Sequence, residues 1–256
     1  MKNLIIYLLS LLPNGILEKF ENLFSIAQGR GFSDPKVEAK NIIKFASQNN
    51  IDLNVVFDVG SYHGDYTKEI LEKNPNSDFY LFEPDQQNFL ILKNKFSSSV
   101  NIKVINSAIS DKDEMGTFFS YGEGSLQGSL IDQNFSHLNI KNRIKQSVKL
   151  SRIDTLMNDF QIDNIDLCKI DIEGNEMNAL LGAGKFLQKI KLIQFEFGPA
   201  SVDGRVFFKD FYNFFSERQF DLYRISSSKL IKINQYHPHL EYFRVSNFLA
   251  FNKNKF

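Results

Sequence analysis

Apolar and polar positions along the chain fall into a repeating rhythm. A mostly apolar run at 55–59 leads through a glycine-punctuated turn into a helix-like stretch at 66–73, and the same succession returns at 79–83, 85–96 and 102–106. Asn74-Pro75-Asn76 breaks the first helix, and Glu83-Pro84-Asp85 opens the second, with Pro84 tolerated at a helix start. Strands alternating with helices predict right-handed βαβ units and a parallel sheet. The rhythm resumes with a helix at 153–160, a strand at 165–171, a helix at 175–189 and a strand at 191–197. A helix near 207–218 and strand-like runs at 220–225, 229–233 and 245–251 complete it.

Between Gly116 and Val148 the pattern lapses into a glycine- and serine-rich segment, Gly122 to Leu130, and a basic stretch around Lys141, Arg143, Lys145 and Lys149. An inserted loop of about 120–150 is expected there, within one domain spanning 51–256. Residues 1–50 read as a helical extension: Val37, Ile42, Ile43 and Phe45 recur near helical spacing behind the start signal Ser33-Asp34-Pro35. Its apolar run, Leu4 to Leu12, stops at Pro13-Asn14-Gly15, short of the roughly 20 residues a membrane span needs. No small-x-small cleavage pattern follows. This run is expected to dock on the sheet or on a partner, with peripheral contact to a membrane or a glycan-assembly system as the alternative.

Composition narrows the function classes. The 256 residues suffice for one α/β domain with a substantial core. Thirty basic and thirty acidic residues cancel, so no global field draws in nucleic acid. Most of the 26 Phe and 9 Tyr belong to core packing. The single Cys168 excludes an internal disulfide and a cysteine-rich zinc site, and a buried inert thiol in a reducing cytoplasm is the expectation.

The chemistry concentrates at the ends of the predicted strands, where open α/β sheets bind ligands. The first turn, Asp58-Val59-Gly60-Ser61-Tyr62-His63-Gly64, leads into a helix bearing Thr67. It has neither the triple glycine of a dinucleotide fingerprint nor the Lys-Ser/Thr of a phosphate loop. A cofactor with a ribose and an amino-acid tail but no phosphates suits it better, and S-adenosyl-L-methionine (SAM) has that character. Glu83, ending the second strand before Pro84, offers two acceptor oxygens to both ribose hydroxyls. Asp58 is expected to organise the loop and face the cofactor's ammonium. Ser107, Ala108 and Ile109, after the third strand, are expected beside the adenine.

A burst of carboxylates closes the strand Ile165–Asp171. Asp171 and Glu173 share one face by the period of two, Glu176 falls in the first helical turn as a plausible cap, and Glu196 ends the next strand. Acids this close raise one another's pKa unless a cation or donor intervenes. Oxygen ligands of this kind suit Mg²⁺ or Ca²⁺; capping and a positively charged cofactor account for some of them without a metal, and no metal is expected.

The succession Phe57-Asp58-Val59-Gly60…Gly64, Phe82-Glu83-Pro84, Ser107-Ala108-Ile109-Ser110-Asp111, Ile153-Asp154-Thr155-Leu156, Lys169-Ile170-Asp171-Ile172-Glu173-Gly174-x-Glu176 and Glu196 resembles the FkbM family of SAM-dependent methyltransferases over roughly residues 53–200, with an echo at Ser246 to Ala250. The Lys-x-Asp-x-Glu-Gly-x-Glu block discriminates, and His63 departs from the small or polar residue usual in that loop. The resemblance implies a Rossmann-like class I methyltransferase, a seven-stranded, mostly parallel sheet with helices on both faces. It further implies O-methylation of a hydroxyl, commonly on a sugar or secondary metabolite. Asp171 is the first candidate general base and His137 the second. Glu173, Glu196 and His237 are expected on the acceptor side. A nicotinamide-dependent sugar oxidoreductase and a non-catalytic SAM-fold binding module stand as the rival readings.

Overall fold

The computed structural model describes residues 2–253 apart from 32, 123, 126 and 135–142. Three helices come first: α1 (Lys2–Ser10), α2 (Asn14–Ala27) and α3 (Pro35–Gln48). The predicted alternation follows as β1 (Val55–Val59), α4 (Asp65–Leu71), β2 (Asp78–Phe82), α5 (Gln86–Lys95) and β3 (Ile102–Ile105). Then come β4 (Ala108–Ile109), β5 (Met115–Ser120), β6 (Ile144–Ser151), α6 (Ile153–Asp159), β7 (Ile165–Ile170), α7 (Glu176–Gly182) and β8 (Ile190–Phe197). The chain closes with α8 (Ala200–Asp203), α9 (Phe208–Ser216), β9 (Phe220–Ile225), β10 (Leu230–Ile233) and β11 (Ser246–Asn252).

The main sheet runs β10-β9-β11-β8-β7-β1-β2-β3. Strands β3, β2, β1, β7 and β8 are parallel, and β11 inserts antiparallel between β8 and β9. It has eight strands rather than the expected seven, because β10 folds back on β9 as an edge hairpin. The class and the helix placement are as expected. Phe57, Cys168 and Phe195 bury one sheet face under α6, α7 and α9. Val56, Leu81, Leu167 and Leu249 bury the other under α3, α4 and α5. Strands covered on both faces read as continuous apolar runs, which is why β1, β7 and β8 are legible in the sequence. Strand order reverses at β1, so the switch point lies between β1 and β7.

Three expectations change. The segment read as a loop contains the antiparallel pair β5–β6, with Met115 opposite Lys149 and Ser120 opposite Ile144; β4 joins β6 in parallel. The helix expected at 175–189 ends at Gly182, where a side chain would meet the Ser110 carbonyl oxygen at 2.1 Å, and continues as a 3₁₀ turn over Gly184–Lys189. In the extension, α3 starts as predicted: Asp34 caps it through Lys36 N and Val37 N, and Ala39, Ile42 and Ala46 enter the core. By contrast α1 buries no residue, so its apolar run does not dock on the sheet. Among the described residues no helix is long and apolar enough to cross a membrane.

Candidate active site

A cavity of 480 Å³ opens at the carboxyl ends of β1, β2, β7 and β8. This is the switch-point edge, where the sheet leaves a crevice for a ligand. From the β1–β3 side it is lined by Gly60, Ser61, Tyr62, Glu83 and Pro84, with Ser107, Ala108 and Ile109 beyond them.

Gly60 sits at φ +79°, and a Cβ there would lie 1.9 Å from the Asp171 carbonyl oxygen. The loops after β1 and β7 therefore touch backbone to backbone, a contact only glycine permits. Gly60 N and Ser61 N both donate to the Phe82 carbonyl, at 3.0 and 3.1 Å. Tyr62 N donates to Glu83 Oε2 at 2.9 Å and Asp85 N to Glu83 Oε1 at 3.0 Å. Glu83 thus ties the first loop to the second strand while facing the cavity. Burial pushes its pKa up to about 8 against those two donors.

Four residues expected at the cofactor do not line the cavity. Asp58 and Thr67 are fully buried beneath it, with Thr67 Oγ1 donating to Asp58 Oδ2 at 2.6 Å. Gly64, at φ +73°, is pressed against Phe96 and Leu92, where it turns the chain into α4. His63 stacks on Tyr62, ring centroids 3.8 Å apart, and its Nε2 lies 3.2 Å from Asn88 Oδ1. These four shape the loop from behind. His237 is exposed and absent from the lining, because Pro238–Leu240 forms a surface 3₁₀ turn whose start it caps through its own ring. His137 lies outside the described residues.

The β7–β8 side carries the acids. Asp171 lines the cavity with its side chain 29% exposed, and Lys169 Nζ stands 3.2 Å from its Oδ2 and 3.6 Å from Asp58 Oδ1. Lys169 on β7 and Asp171 just beyond its end lie two apart and share a face, and register places Lys169 beside Asp58 on β1. Burial works against the Lys169 charge, yet Asp171, Asp58 and Glu38 outweigh it and hold its pKa above the ordinary value. Glu173, at φ +54°, lines the cavity, and its carbonyl accepts from Ser129 Oγ (2.8 Å) and Gln133 Nε2 (2.7 Å). Glu176 Oε1 accepts from Ile172 N and Gly174 N, bracing this loop as a cap. Glu196 lines the cavity and is 8% exposed, and its carboxyl makes no hydrogen bond to a described residue. Burial, then Asp171 and Glu173, push its carboxyl well above the usual range.

Sequence reasoning missed Glu38, Tyr66 and Lys169, which also line the cavity, and Gln194 behind them. Glu38 Oε2 accepts from Gln194 Nε2 (2.8 Å) and its Oε1 from Asn247 Nδ2 (3.0 Å), while Tyr66 OH donates to Gln194 Oε1 (2.7 Å). This chain of bonds pins α3 to β8 and β11. The signal for Lys169 is its place at the head of the Lys-x-Asp-x-Glu-Gly-x-Glu block. For Glu38 the sequence carries none. Among the described residues no group of three or more His, Cys, Asp or Glu is placed to hold a metal ion.

The buried acids set a pH dependence. Burial raises Glu83 and Glu173 to about 8 and Glu176 to about 7, so the folded chain holds protons that the unfolded chain releases near 4.5. Stability then falls as pH rises between those values. The ligand-free protein is expected to melt several degrees lower at pH 8.5 than at pH 5.5, about 2–4 °C for each kcal/mol lost. Calorimetric melting at the two values checks this, and an equal or higher melting temperature at pH 8.5 contradicts it.

Residues 58–222 match the methyltransferase FkbM domain. The 2-O-methyltransferase NoeI of Sinorhizobium fredii is 26% identical over 158 residues, 58% of this chain and 65% of that protein, so the chain spans just under two thirds of this relative. The crystal structure of methyltransferase FkbM from Methylobacillus flagellatus KT aligns at 15% identity over 77% of this chain and 43% of that one, with a TM-score of 0.48. The plantazolicin methyltransferase BpumL, solved with S-adenosylhomocysteine (SAH), aligns at 9% identity over 94% and 90% of the two chains, with a TM-score of 0.49. Both structural likenesses are distant, whereas the domain match takes in more than half of the chain and includes both loops that line the cavity. The chain belongs to the FkbM family of SAM-dependent methyltransferases.

Proposed function

We propose that this protein transfers a methyl group from SAM to a hydroxyl of a sugar in a glycan or glycan precursor. The observation that carries the reading is the joining of two unlike halves in one cavity: the Gly60–Glu83 loop pair on one side and the Lys169–Asp171 pair on the other. The first half fits SAM and disfavours a nicotinamide dinucleotide. The N–H groups of Gly60, Ser61 and Tyr62 are all taken by Phe82 and Glu83, leaving none of these three for a pyrophosphate. Glu83 instead presents a carboxyl group suited to ribose hydroxyls, and Ser107, Ala108 and Ile109 offer a wall of small and apolar side chains for a flat base.

Bound SAM supplies an electrophilic methyl group on its sulfonium. The chain's own part is to align the acceptor oxygen and remove its proton. Proton removal by Asp171 is supported by Lys169 holding its Oδ2 while Oδ1 has no hydrogen-bond partner among the described residues. Glu173 and Glu196 line the same side and can orient neighbouring hydroxyls, and orientation removes several kcal/mol of barrier. A hydroxyl acceptor is further supported by the relative that carries the name 2-O-methyltransferase. Sugars suit the site because closely spaced carboxyls match closely spaced hydroxyls; a hydroxylated secondary metabolite is the alternative acceptor.

Glu83→Ala is expected to weaken SAH binding roughly ten- to hundredfold, since it removes two hydrogen bonds to the ribose hydroxyls at about 0.5–1.5 kcal/mol each. Titration calorimetry measures this, and an affinity equal to wild type removes the assignment of Glu83. Labelled-methyl transfer to a panel of sugars, sugar nucleotides and surface glycans tests the acceptor. Transfer to none of them, with SAH binding intact, favours a binding module instead.

A further inference from the structure

The segment inserted between β5 and β6 reaches the turn that carries Glu173. The Glu173 carbonyl accepts two hydrogen bonds from it, one from Ser129 Oγ at 2.8 Å and one from Gln133 Nε2 at 2.7 Å. Both donors are buried, at 1% and 3% exposure, where water does not compete for them. Ser129 is itself fixed from two directions. Its N–H and carbonyl pair with Phe119 of β5 at 2.9 and 2.8 Å, and its Oγ accepts from Ile131 N at 3.0 Å. A hydroxyl has one proton, and this arrangement leaves it for Glu173. Gln133 commits its amide to the same carbonyl, since its Oε1 is buried without a partner among the described residues. A buried acceptor left unmet is costly, so packing alone does not account for a glutamine here.

The turn needs this outside hold. Glu173 has φ +54° and Gly174 φ +99°, and a left-handed backbone is disfavoured for any residue with a Cβ. Glu176 Oε1 ties down the N–H groups of Ile172 and Gly174 from within the loop. The Glu173 carbonyl is answered only from the inserted segment. Ile131 closes over the same place, with its Cδ1 3.3 Å from where a Cβ on Gly174 would stand. In the same stretch Gly128 and Leu130 line the cavity, as Glu173 does. One segment therefore forms part of the cavity wall and grips the main chain of a cavity acid.

We propose that Ser129 and Gln133 are positioning residues that hold Glu173 in its left-handed conformation against the cavity, making the inserted segment part of the acceptor site. The inference rests on the reading of Glu173 as an acceptor-side group. Neither residue lines the cavity, so each acts through the Glu173 main chain rather than on the acceptor. The conformation of the inserted segment thereby sets where the Glu173 carboxyl stands, and acceptor choice follows from both together.

The test compares the full chain with its S129A and Q133M variants, the second keeping length while removing the donor. SAH affinity by titration calorimetry is expected to stay within about twofold of wild type, because neither residue meets the Gly60–Glu83 half. For an acceptor that wild type methylates, KM is expected to rise roughly tenfold or more, with a smaller change in kcat. A second readout needs no acceptor. It follows the side-chain carboxyl signal of Glu173 by carbon-13 NMR across pH, identified by its loss in E173Q. Burial, then Asp171 and Glu176, raise this carboxyl to about 8 in the intact site. A released turn admits water, so the midpoint is expected to fall by about one unit or more toward the ordinary 4.5. K149Q, at an exposed position of β6, is expected to match wild type throughout. Should Q133M melt well below wild type, S129A carries the comparison. If no acceptor in the panel is methylated, the functional reading fails, and the Glu173 midpoint alone decides whether the two residues hold the turn. An unchanged midpoint, an acceptor KM within about threefold of wild type, or KM and SAH affinity weakened together overturns the proposal.

Discussion

Replacing Asp171 by Asn is expected to slow methyl transfer about 10²–10⁴-fold, the usual contribution of a general base, while SAH still binds. Asparagine matches aspartate in shape, and its oxygen can still accept from Lys169, so the loop after β7 should keep its place. What is lost is the proposed proton acceptor. Single-turnover transfer of a labelled methyl group isolates that step from product release. A rate within threefold of wild type would remove Asp171 from the chemistry. The companion variant Lys169→Met separates charge from position. It leaves Asp58 buried with only the Thr67 hydroxyl for company, at a cost of about 3–5 kcal/mol, as when one partner of a buried pair is removed. Denaturant unfolding reads that loss.

Gly60→Ala is expected to be the most damaging single change to the fold of the site. The left-handed backbone alone costs an alanine about 1–2 kcal/mol. The added methyl would also stand 1.9 Å from the Asp171 carbonyl oxygen, a main-chain atom that cannot swing aside. Relief requires β1 and β7 to part at their carboxyl ends, where Asp171 N donates to the Val59 carbonyl (3.0 Å). The sum should exceed about 3 kcal/mol, a large share of the roughly 5–15 kcal/mol that holds a domain folded. Gly64→Ala is the internal comparison, since its neighbours are the side chains of Phe96 and Leu92, which can shift. If the two variants unfold at the same denaturant concentration, the backbone contact at Gly60 is not what makes glycine necessary there.

The strands that build the cavity are legible because they are buried on both faces and end in acids at turns. Glu83, Asp171, Glu173 and Glu196 stand out for that reason, and all four line the cavity. The hairpin β5–β6 is not legible, although Ile144, Val148 and Leu150 alternate with exposed Lys145 and Lys149, because the glycine- and serine-rich stretch that parts the two strands breaks the pattern between them. Its pairing is satisfied by the backbone ladder, to which sequence periodicity is blind. Asp58 sits in the loop motif, which by itself suggests a side chain facing the ligand. The parallel register with β7 turns it under the loop instead, against a lysine 111 positions later. Glu38 illustrates the limit most clearly: its partners Gln194 and Asn247 lie 156 and 209 residues away, beyond any local pattern.

The position of β11 has a consequence for the order of events during synthesis. This strand fills the slot between β8 and β9, yet it is complete only about fifty-five residues after β8 ends at Phe197. At ~5–20 residues per second, the nascent chain carries an open, apolar β8 edge for roughly 3–11 s. For that interval Leu192 to Phe197 is a ready template for another strand. Nascent chains stalled after β9 should therefore recruit chaperones that release once β11 has left the ribosome.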